Sequence, residues 1–187
     1  MLDDVDKILI SELQKDGRKP LSQIAKKLGV SHVAVRKRLK NLLDKGFISV
    51  TANLNLEALN AKAATVTVEV ENYIRLKELM DMFKDCPRTV FLAPLTGSNL
   101  ITVIVGEDSS TLENVIGVCS VRAQKGIRRS EVYVGNLPAY PKYLPIRIAG
   151  RHVSQTAPCG ARCDRCESFK TEECVGCPST KFYNGPL

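Results

Sequence analysis

The chain has 187 residues and a formal net charge of +7, with 44% hydrophobic and 25% charged residues. This size and composition fit one large globular domain or two small ones and exclude a disordered or fibrous chain. The acidic N-terminus and the short apolar runs argue against a signal peptide and a transmembrane helix, so we expect a cytoplasmic protein that does not bind membranes.

The first 45 residues predict three helices. Apolar side chains recur at helical spacing over residues 4–14 and again over residues 21–28. Gly29 is expected to end the second helix, and Ser31 is a good N-cap for a third over residues 32–45. The side chains expected to face inward are Val5, Ile8, Leu9, Leu13, Leu21, Ile24, Ala25, Leu28, Val35, Leu39, Leu42 and Leu43.

A basic stripe is expected on the outer face of the third helix. It consists of Val33, Arg36, Lys37 and Lys40, at positions i, i+3, i+4 and i+7. Residues 18–45 hold nine Lys or Arg and one acid, a net of +8, so they account for the excess positive charge of the chain. A solvated helix can carry such charge without binding anything. A basic helix held by a partner helix, however, is the form that enters the major groove of double-stranded DNA.

The DNA contacts can be divided by position along this helix-turn-helix. Base contacts are expected from Ser31, Val33, Arg36 and Lys37. Phosphate contacts are expected from Arg18, Lys19, Arg38 and Lys40. Gln23 is a further candidate, and His32 either bonds to DNA or is simply exposed in the first turn.

The next part of the chain predicts the element order βαββαβ. Alternation over residues 63–70 indicates a half-buried strand, and helical spacing indicates helices over 76–83 and 112–119. The other strands are expected at residues 88–95, 100–105 and 126–134. This order folds as an antiparallel sheet with both helices on one face, the ferredoxin-like arrangement, so the fold class is α+β. The bare sheet face predicts at least a homodimer.

Five of the seven cysteines lie within 19 residues near the C-terminus, with the spacing Cys-x3-Cys-x2-Cys-x7-Cys-x2-Cys. They are Cys159, Cys163, Cys166, Cys174 and Cys177. Such clustered thiols predict a metal site that supplies the folding free energy of a segment with little apolar core. Gly160 and Gly176 permit tight turns between them. Cys86 and Cys119 are isolated, and we interpret them as inert core thiols.

The identity of the metal stays open at this point. Zinc is slightly favoured, since two Cys-x2-Cys units bring four thiolates within reach of one ion. A [4Fe-4S] cluster is the alternative, because five cysteines exceed one zinc site and Cys177-Pro178 is similar to the end of ferredoxin motifs. The metal is either a structural staple or a sensor that alters DNA affinity.

Five segments follow from these patterns. They are a helix-turn-helix DNA-binding domain (1–50), a hinge (51–61), a ferredoxin-like ligand-binding and oligomerisation domain (62–137), a proline-containing linker (138–158) and a Cys-rich metal-binding module (159–187).

The chain resembles the Lrp/AsnC (feast/famine) family of transcription regulators over residues 1–137. Residues 2–18 are similar to the family's first helix, and residues 21–48 to its helix-turn-helix and the step into its hinge. The turn at 96–100 with the strand after it, and the strand at 126–134, are similar to parts of its effector domain.

The resemblance implies a homodimer, often assembled to an octamer, that binds palindromic promoter DNA as a repressor or activator. It also implies a small-molecule effector, often an amino acid, near Thr96, Gly97, Ser98 and Asn99. Asn99 stands where the family usually has an acid, and the Cys-rich extension is not part of the ordinary family.

We expect no enzyme activity. Sirohaem decarboxylases share this architecture, but they rely on histidines in the βαββαβ half, whereas the two histidines here are His32 and His152. The other alternative is an iron–sulfur protein that keeps a vestigial helix-turn-helix.

Overall fold

The computed structural model describes residues 2–135, 140–148 and 154–186. The chain forms two compact units, Met1–Ala52 and Asn53–Leu187. The end of the predicted second domain and parts of the predicted linker, including His152, lie outside the described residues. Within the described ranges, no helix has the length and apolar character needed to cross a bilayer.

The first unit contains the three predicted helices, α1 (Asp4–Lys15), α2 (Leu21–Leu28) and α3 (His32–Asp44). Gly29 ends α2 with a left-handed φ of 66°, which glycine adopts at little cost. The Ser31 hydroxyl accepts a hydrogen bond from the Ala34 N–H at 3.1 Å and caps α3, as predicted. The buried apolar core of this unit is formed by Leu9, Ile24, Ala25, Val35 and Leu42.

Two predictions of inward-facing side chains are wrong. Ile8 is 41% exposed and Leu43 is 40% exposed. Successive helical residues point about 100° apart, so an adjacent apolar pair at the edge of the buried face has one residue in the core and the other towards solvent. In both pairs the neighbour, Leu9 or Leu42, takes the buried position.

Glu12 is a buried acid in the core of this helical unit. It is 2% exposed, accepts a hydrogen bond from Lys27 Nζ at 2.6 Å, and forms an ion pair with Lys19. These bonds join α1 to α2 and to the loop before α2. The hydrogen bonds from Lys19 and Lys27 lower the pKa of Glu12 to about 2.

The second unit is built on a four-stranded antiparallel sheet in the order β3-β4-β2-β5. Its strands are β2 (Lys62–Val70), β3 (Thr89–Pro94), β4 (Asn99–Gly106) and β5 (Ile127–Gly135). Helix α4 (Tyr73–Phe83) follows β2, and helix α5 (Ser109–Asn114) follows β4. The βαββαβ order and the α+β fold class are therefore confirmed.

The two sheet faces differ in chemistry. Along β2, Val66 and Val68 are buried beneath the helices, whereas Thr65 and Thr67 point to the opposite face and are half-buried. A row of side chains in cross-strand register lies on this open face: Phe91, Val103, Thr65 and Tyr133. Because Phe91 is 51% and Tyr133 62% exposed, the open face is partly apolar, and the homodimer stays a prediction.

The second predicted helix of this domain is not regular. It begins at Ser109, where the Asp108 side chain accepts from the Thr111 N–H at 2.7 Å, and it becomes a π-helix at Val115–Cys119. A short 3-10 turn, Val121–Ala123, leads on towards β5.

The segments interpreted as hinge and linker contribute to packing. Strand β1 (Leu54–Asn55) pairs antiparallel with β6 (Tyr143–Leu144). Leu56, Leu144 and Ile146 are buried in a second apolar cluster at the end of the sheet. Residues 54–56 and 143–146 are therefore packed within the second unit, and the boundary between the two units lies inside the predicted hinge, after Ala52.

We predict that the Glu12→Gln variant unfolds at a lower temperature than the unmodified chain, and that its unfolding temperature depends less on pH between 4.5 and 2. The folded pKa of about 2 lies below the ordinary value of 4.5, so the stabilisation from Glu12 is fully present above pH 4.5 and is lost as the pH falls towards 2. Glutamine removes the charge and so removes this dependence. Thermal unfolding, followed by helical circular dichroism across this pH range, measures the difference.

The matched control is Asp4→Asn, because Asp4 lies on the same helix with a side chain that is 90% exposed. Identical pH profiles for Glu12→Gln and the unmodified chain would contradict the role given to Glu12.

Candidate DNA-binding surface and cysteine-lined cavity

The basic stripe lies on the exposed face of α3. Val33 is 73% exposed, and Arg36, Lys37 and Lys40 are also exposed. Lys40 pairs with Asp44 one turn away at 2.6 Å. Within the part of the chain that the structure describes, Arg36 and Lys37 form no ion pair, so their charges are available to an external partner.

Other predicted DNA contacts are engaged inside the helical unit. Arg38 Nη1 binds Asp3 at 2.6 Å and Asp6 at 2.9 Å, which joins α3 to α1. A hydrogen bond from the Asp6 N–H, followed by one from Arg38, lowers the pKa of Asp3. Lys19 is held by Glu12. For Arg38 and Lys19, a phosphate contact would compete with these ion pairs, and it stays a prediction.

The remaining predicted DNA contacts have open positions. Arg18 follows α1, Gln23 lies on α2, and Ser31 and His32 begin α3; all four are exposed. Neutral Gln23 and the charged Arg18 can therefore reach a partner without breaking an ion pair of the described residues.

The predicted effector turn is closed by its own side chain. Gly97 has a left-handed φ of 69°, and the Asn99 amide donates to the Thr96 carbonyl oxygen at 2.8 Å. The Ser98 carbonyl oxygen accepts from the Val70 N–H at 2.8 Å, which attaches the turn to β2. Asn99 therefore has a structural role here, and an effector at this turn stays a prediction.

The C-terminal segment packs against the sheet domain over a buried ion pair. Arg88 and Glu107, each 3% exposed at the side chain, form this pair beneath the segment. Arg88 Nη2 donates to the Gly176 carbonyl oxygen at 2.5 Å, and the Tyr183 hydroxyl donates to Glu107 Oε1 at 2.7 Å. Burial acts to lower the pKa of Arg88, but the carboxylate of Glu107 outweighs it and raises that pKa.

A second set of bonds joins this segment to α5. The Ser110 hydroxyl and the Asn114 amide both donate to the Glu173 carbonyl oxygen, at 2.7 and 3.1 Å. The segment itself contains a 3-10 turn, Cys163–Arg165, and a single helical turn, α6 (Glu167–Lys170). Its packing therefore depends on the sheet domain as well as on its own residues.

A cavity of about 740 Å³ lies between the C-terminal segment and the sheet domain. All seven cysteines of the chain line it: Cys86, Cys119, Cys159, Cys163, Cys166, Cys174 and Cys177. All seven are free thiols. As predicted, Gly160 and Gly176 have left-handed φ values of 83° and 85°, which allow the turns between the five C-terminal cysteines.

The cysteines surround the cavity rather than converging on one point. Among the described residues, no three Cys, His, Asp or Glu side chains are gathered closely enough to hold a single metal ion. Burial raises the pKa of Cys177 to about 12, and it raises that of Cys119 well above the ordinary value. The charges of Cys159 and Cys86 also raise the pKa of Cys119, so these thiols disfavour one another's ionisation.

The interpretation of Cys86 and Cys119 as core thiols is correct only in part. Both are half-buried and pack against the main core, but both also face the cavity. Sequence periodicity places Cys119 on an inner helical face and cannot show that a C-terminal segment covers that face. No local signal in the sequence distinguishes these two thiols.

Comparison with known proteins agrees with the helical unit and the sheet domain. Residues 2–43 match the model of the AsnC-type helix-turn-helix domain. The chain is 36% identical, over 123 residues, to the HTH-type transcriptional regulator LrpA of Pyrococcus horikoshii, a match that covers 63% of this chain and 87% of the relative. It is 28% identical to the HTH-type transcriptional regulator LysM of Sulfurisphaera tokodaii, covering 67% of this chain and 89% of the relative.

Solved structures share the fold. The leucine response regulatory protein LrpA of Mycobacterium tuberculosis superposes with a TM-score of 0.65 at 23% identity, covering 78% of this chain and 100% of the other. AsnC of E. coli superposes with a TM-score of 0.63 at 14% identity, covering 74% of this chain and 95% of the other. The helix-turn-helix match and the close relationship to LrpA together show that this chain belongs to the Lrp/AsnC family and is a transcription regulator of that type.

Proposed function

We propose that the chain binds promoter DNA through the basic stripe of α3 and that its C-terminal thiols hold a metal whose presence tunes this binding. The DNA half rests on one observation, the exposed pair Arg36 and Lys37 beside the exposed Val33. Arginine and lysine donate to guanine edges, and an apolar side chain contacts the thymine methyl group. These three residues therefore supply the chemistry of base recognition.

The internal ion pairs support this division of labour. Glu12 and the acids at the start of α1 hold Lys19, Lys27 and Arg38 in place. Among the described residues, the stripe forms one ion pair, between Lys40 and Asp44 at its C-terminal end. The positive potential of the stripe is therefore concentrated towards the start of α3, where a recognition helix meets base edges.

A homodimer, or a higher even oligomer, follows from the open sheet face. The partly exposed row from Phe91 to Tyr133 would be buried by a second copy of the sheet. Such pairing would bring two recognition helices to one palindromic site, since a two-fold protein reads a two-fold operator.

The relatives named above are transcription regulators, which supports a function without enzyme activity. His32 lies on α3 of the helical unit, and the other histidine lies outside the described residues. Within the described part of the sheet domain there is thus no imidazole for the histidine-dependent alternative.

The proposed metal is zinc or a [4Fe-4S] cluster bound by Cys159, Cys163, Cys166, Cys174 and Cys177. Support comes from the cavity, which these five thiols line together. One zinc ion would draw four sulfurs to about 2.3 Å from it, whereas a cluster would fill more of the cavity. A small-molecule effector at the Gly97 turn remains the other proposed means of control.

We predict that Arg36→Ala weakens binding to a specific operator by about 10- to 100-fold, corresponding to about 1–3 kcal/mol for a base contact. Discrimination against mismatched operators should fall at the same time. Fluorescence anisotropy, with a duplex enriched by the unmodified protein from random DNA, measures both. Lys125→Ala is the charge-matched control, because Lys125 is an exposed residue of the second unit.

Equal affinities for Arg36→Ala and Lys125→Ala would contradict recognition through the basic stripe.

We also predict that removing the metal changes operator affinity. Protein purified without oxygen should contain about one zinc per chain, or about four irons with a broad visible absorption band. Chelation followed by anisotropy on the same operator compares the metal-free and reconstituted forms. The same operator affinity in both forms would reduce the metal to a structural staple.

A further inference from the structure

Cys86 reaches the cavity from the sheet domain at a fixed position. It follows α4 in the turn that leads to β3. Its N–H donates to the Phe83 carbonyl oxygen at 3.1 Å, and its own carbonyl oxygen accepts from the Thr89 N–H at 3.1 Å. This turn lies within the sheet domain, so the position of Cys86 does not depend on the fold of the C-terminal segment.

Cys119 reaches the cavity from the π-helix, of which it is the last residue. The Ser120 N–H donates to the Val115 carbonyl oxygen at 2.8 Å, five residues back, and the Ser120 hydroxyl donates to the Ile116 carbonyl oxygen at 2.8 Å. Single π-helical turns at the end of an α-helix are frequent at functional sites because they redirect side chains. Here the element ends at a thiol on the cavity wall.

The cavity is large and mostly apolar, and one of its wall residues has a buried hydroxyl without a hydrogen-bond partner among the described residues. Phe83, Ile104 and Phe169 form part of its wall, and its volume of about 740 Å³ is far greater than one metal ion requires. Thr89 also contributes to this wall, and among the described residues its hydroxyl is buried without a hydrogen-bond partner.

We propose that Cys86 and Cys119 are ligands of a polynuclear, thiolate-bound metal centre that also takes thiols from the C-terminal segment. The inference rests on the metal proposed above and extends its ligand set into the sheet domain. In an iron–sulfur cluster each iron takes about one cysteine thiolate and its other ligands from sulfide, so the thiolates surround the cluster and need not converge on one metal ion. Seven thiols exceed the four that one cluster or one zinc ion takes, so the ligands of a cluster, or of a pair of zinc ions, can come from both parts of the chain.

Metal binding at these cysteines releases protons, which balances the charge of the new metal–sulfur bonds. Each thiol that becomes a ligand exchanges its proton for a bond to the metal, and the proton passes to solvent. Sulfide with equal amounts of ferrous and ferric iron, or zinc alone, comes from solution, so neither the metals nor the cysteines change oxidation state. The centre would then link the end of α4, the π-helix and the C-terminal segment.

The test is reconstitution of the full chain without oxygen, in one arm with sulfide and equal amounts of ferrous and ferric iron, and in the other with zinc alone. The metal and sulfide contents per chain are measured by chemical analysis, and the visible absorption spectrum is recorded for each arm. The unmodified protein should hold more than one metal atom per chain in at least one arm. The double variant Cys86→Ser with Cys119→Ser should lose about half of that metal or more.

Val118→Ser is the matched control, because Val118 lies on the same π-helix and the same cavity wall, is 51% exposed, and offers no thiol. It should keep the full metal content. Circular dichroism of each variant establishes that it is folded.

A second measurement uses the unmodified chain and so does not depend on how the variants fold. Prolonged alkylation at alkaline pH, read by mass spectrometry, should modify Cys86 and Cys119 in the metal-free protein and spare both when metal is bound; the alkaline pH is needed because burial raises the pKa of Cys119 and so slows its reaction at neutral pH. Equal modification in the two states would overturn the inference, as would equal metal content in the double variant and the unmodified chain.

The outcomes separate the two proposals. One metal atom per chain, kept by the double variant, overturns this inference and leaves the metal of the C-terminal segment standing. No metal in either arm overturns both.

Discussion

The buried ion pair between Arg88 and Glu107 fixes the arrangement of the second unit. Removing two charges from water costs several kcal/mol per ion, and the cost is recovered only when both groups are fully bonded. The C-terminal segment supplies further hydrogen bonds to both groups. Its Gly176 carbonyl oxygen accepts from Arg88, and its Tyr183 hydroxyl donates to Glu107. The segment therefore has one favourable position on the sheet domain.

The position of the C-terminal segment determines which cysteines face the same cavity. Arg88 is two residues after Cys86, and Gly176 lies between Cys174 and Cys177. The hydrogen bond from Arg88 to Gly176 thus brings thiols from two distant parts of the chain to the same cavity. Gly176 is required here, because its φ is 85° and an added Cβ would lie 2.6 Å from the Phe182 carbonyl oxygen.

Charge has a different use in the helical unit. There Glu12 is also buried, but its partners are flexible lysines from α2 and the loop before it. Glu12 and the acids at the start of α1 pair with Lys19, Lys27 and Arg38, whereas Arg36 and Lys37 of the stripe form no ion pair among the described residues. Some basic residues of the helical unit therefore stabilise its fold through ion pairs, while others remain available to bind DNA.

Much of this arrangement could be predicted from the sequence. The helices, the main strands and the basic stripe follow from local periodicity, because a side chain's position in its own helix or strand decides which way it points. The sequence also indicated the turns at Gly160 and Gly176, where backbone conformation is a local property.

What could not be predicted depends on pairing between distant residues. Strand β1 pairs with β6 across most of the second unit, and neither two-residue strand carries a pattern of its own. The π-helix has no distinct pattern in the sequence. The exposure of Ile8 and Leu43 depends on which residue of each adjacent apolar pair packs in the core. The place of Cys86 and Cys119 on the cavity wall belongs to this class.

The sheet itself connects the cavity to the surface proposed for oligomer formation. Successive residues of a strand point to opposite faces, so Ile104 lines the cavity while Val103 lies in the row on the open face. A centre that holds the cavity wall acts on the same strand that a second subunit would cover. A metal can shift an assembly equilibrium only if it binds the two states with different affinity. The proposed centre and a second copy of the sheet would both contact β4, so β4 is the element through which the proposed metal would change the affinity of one subunit for the other.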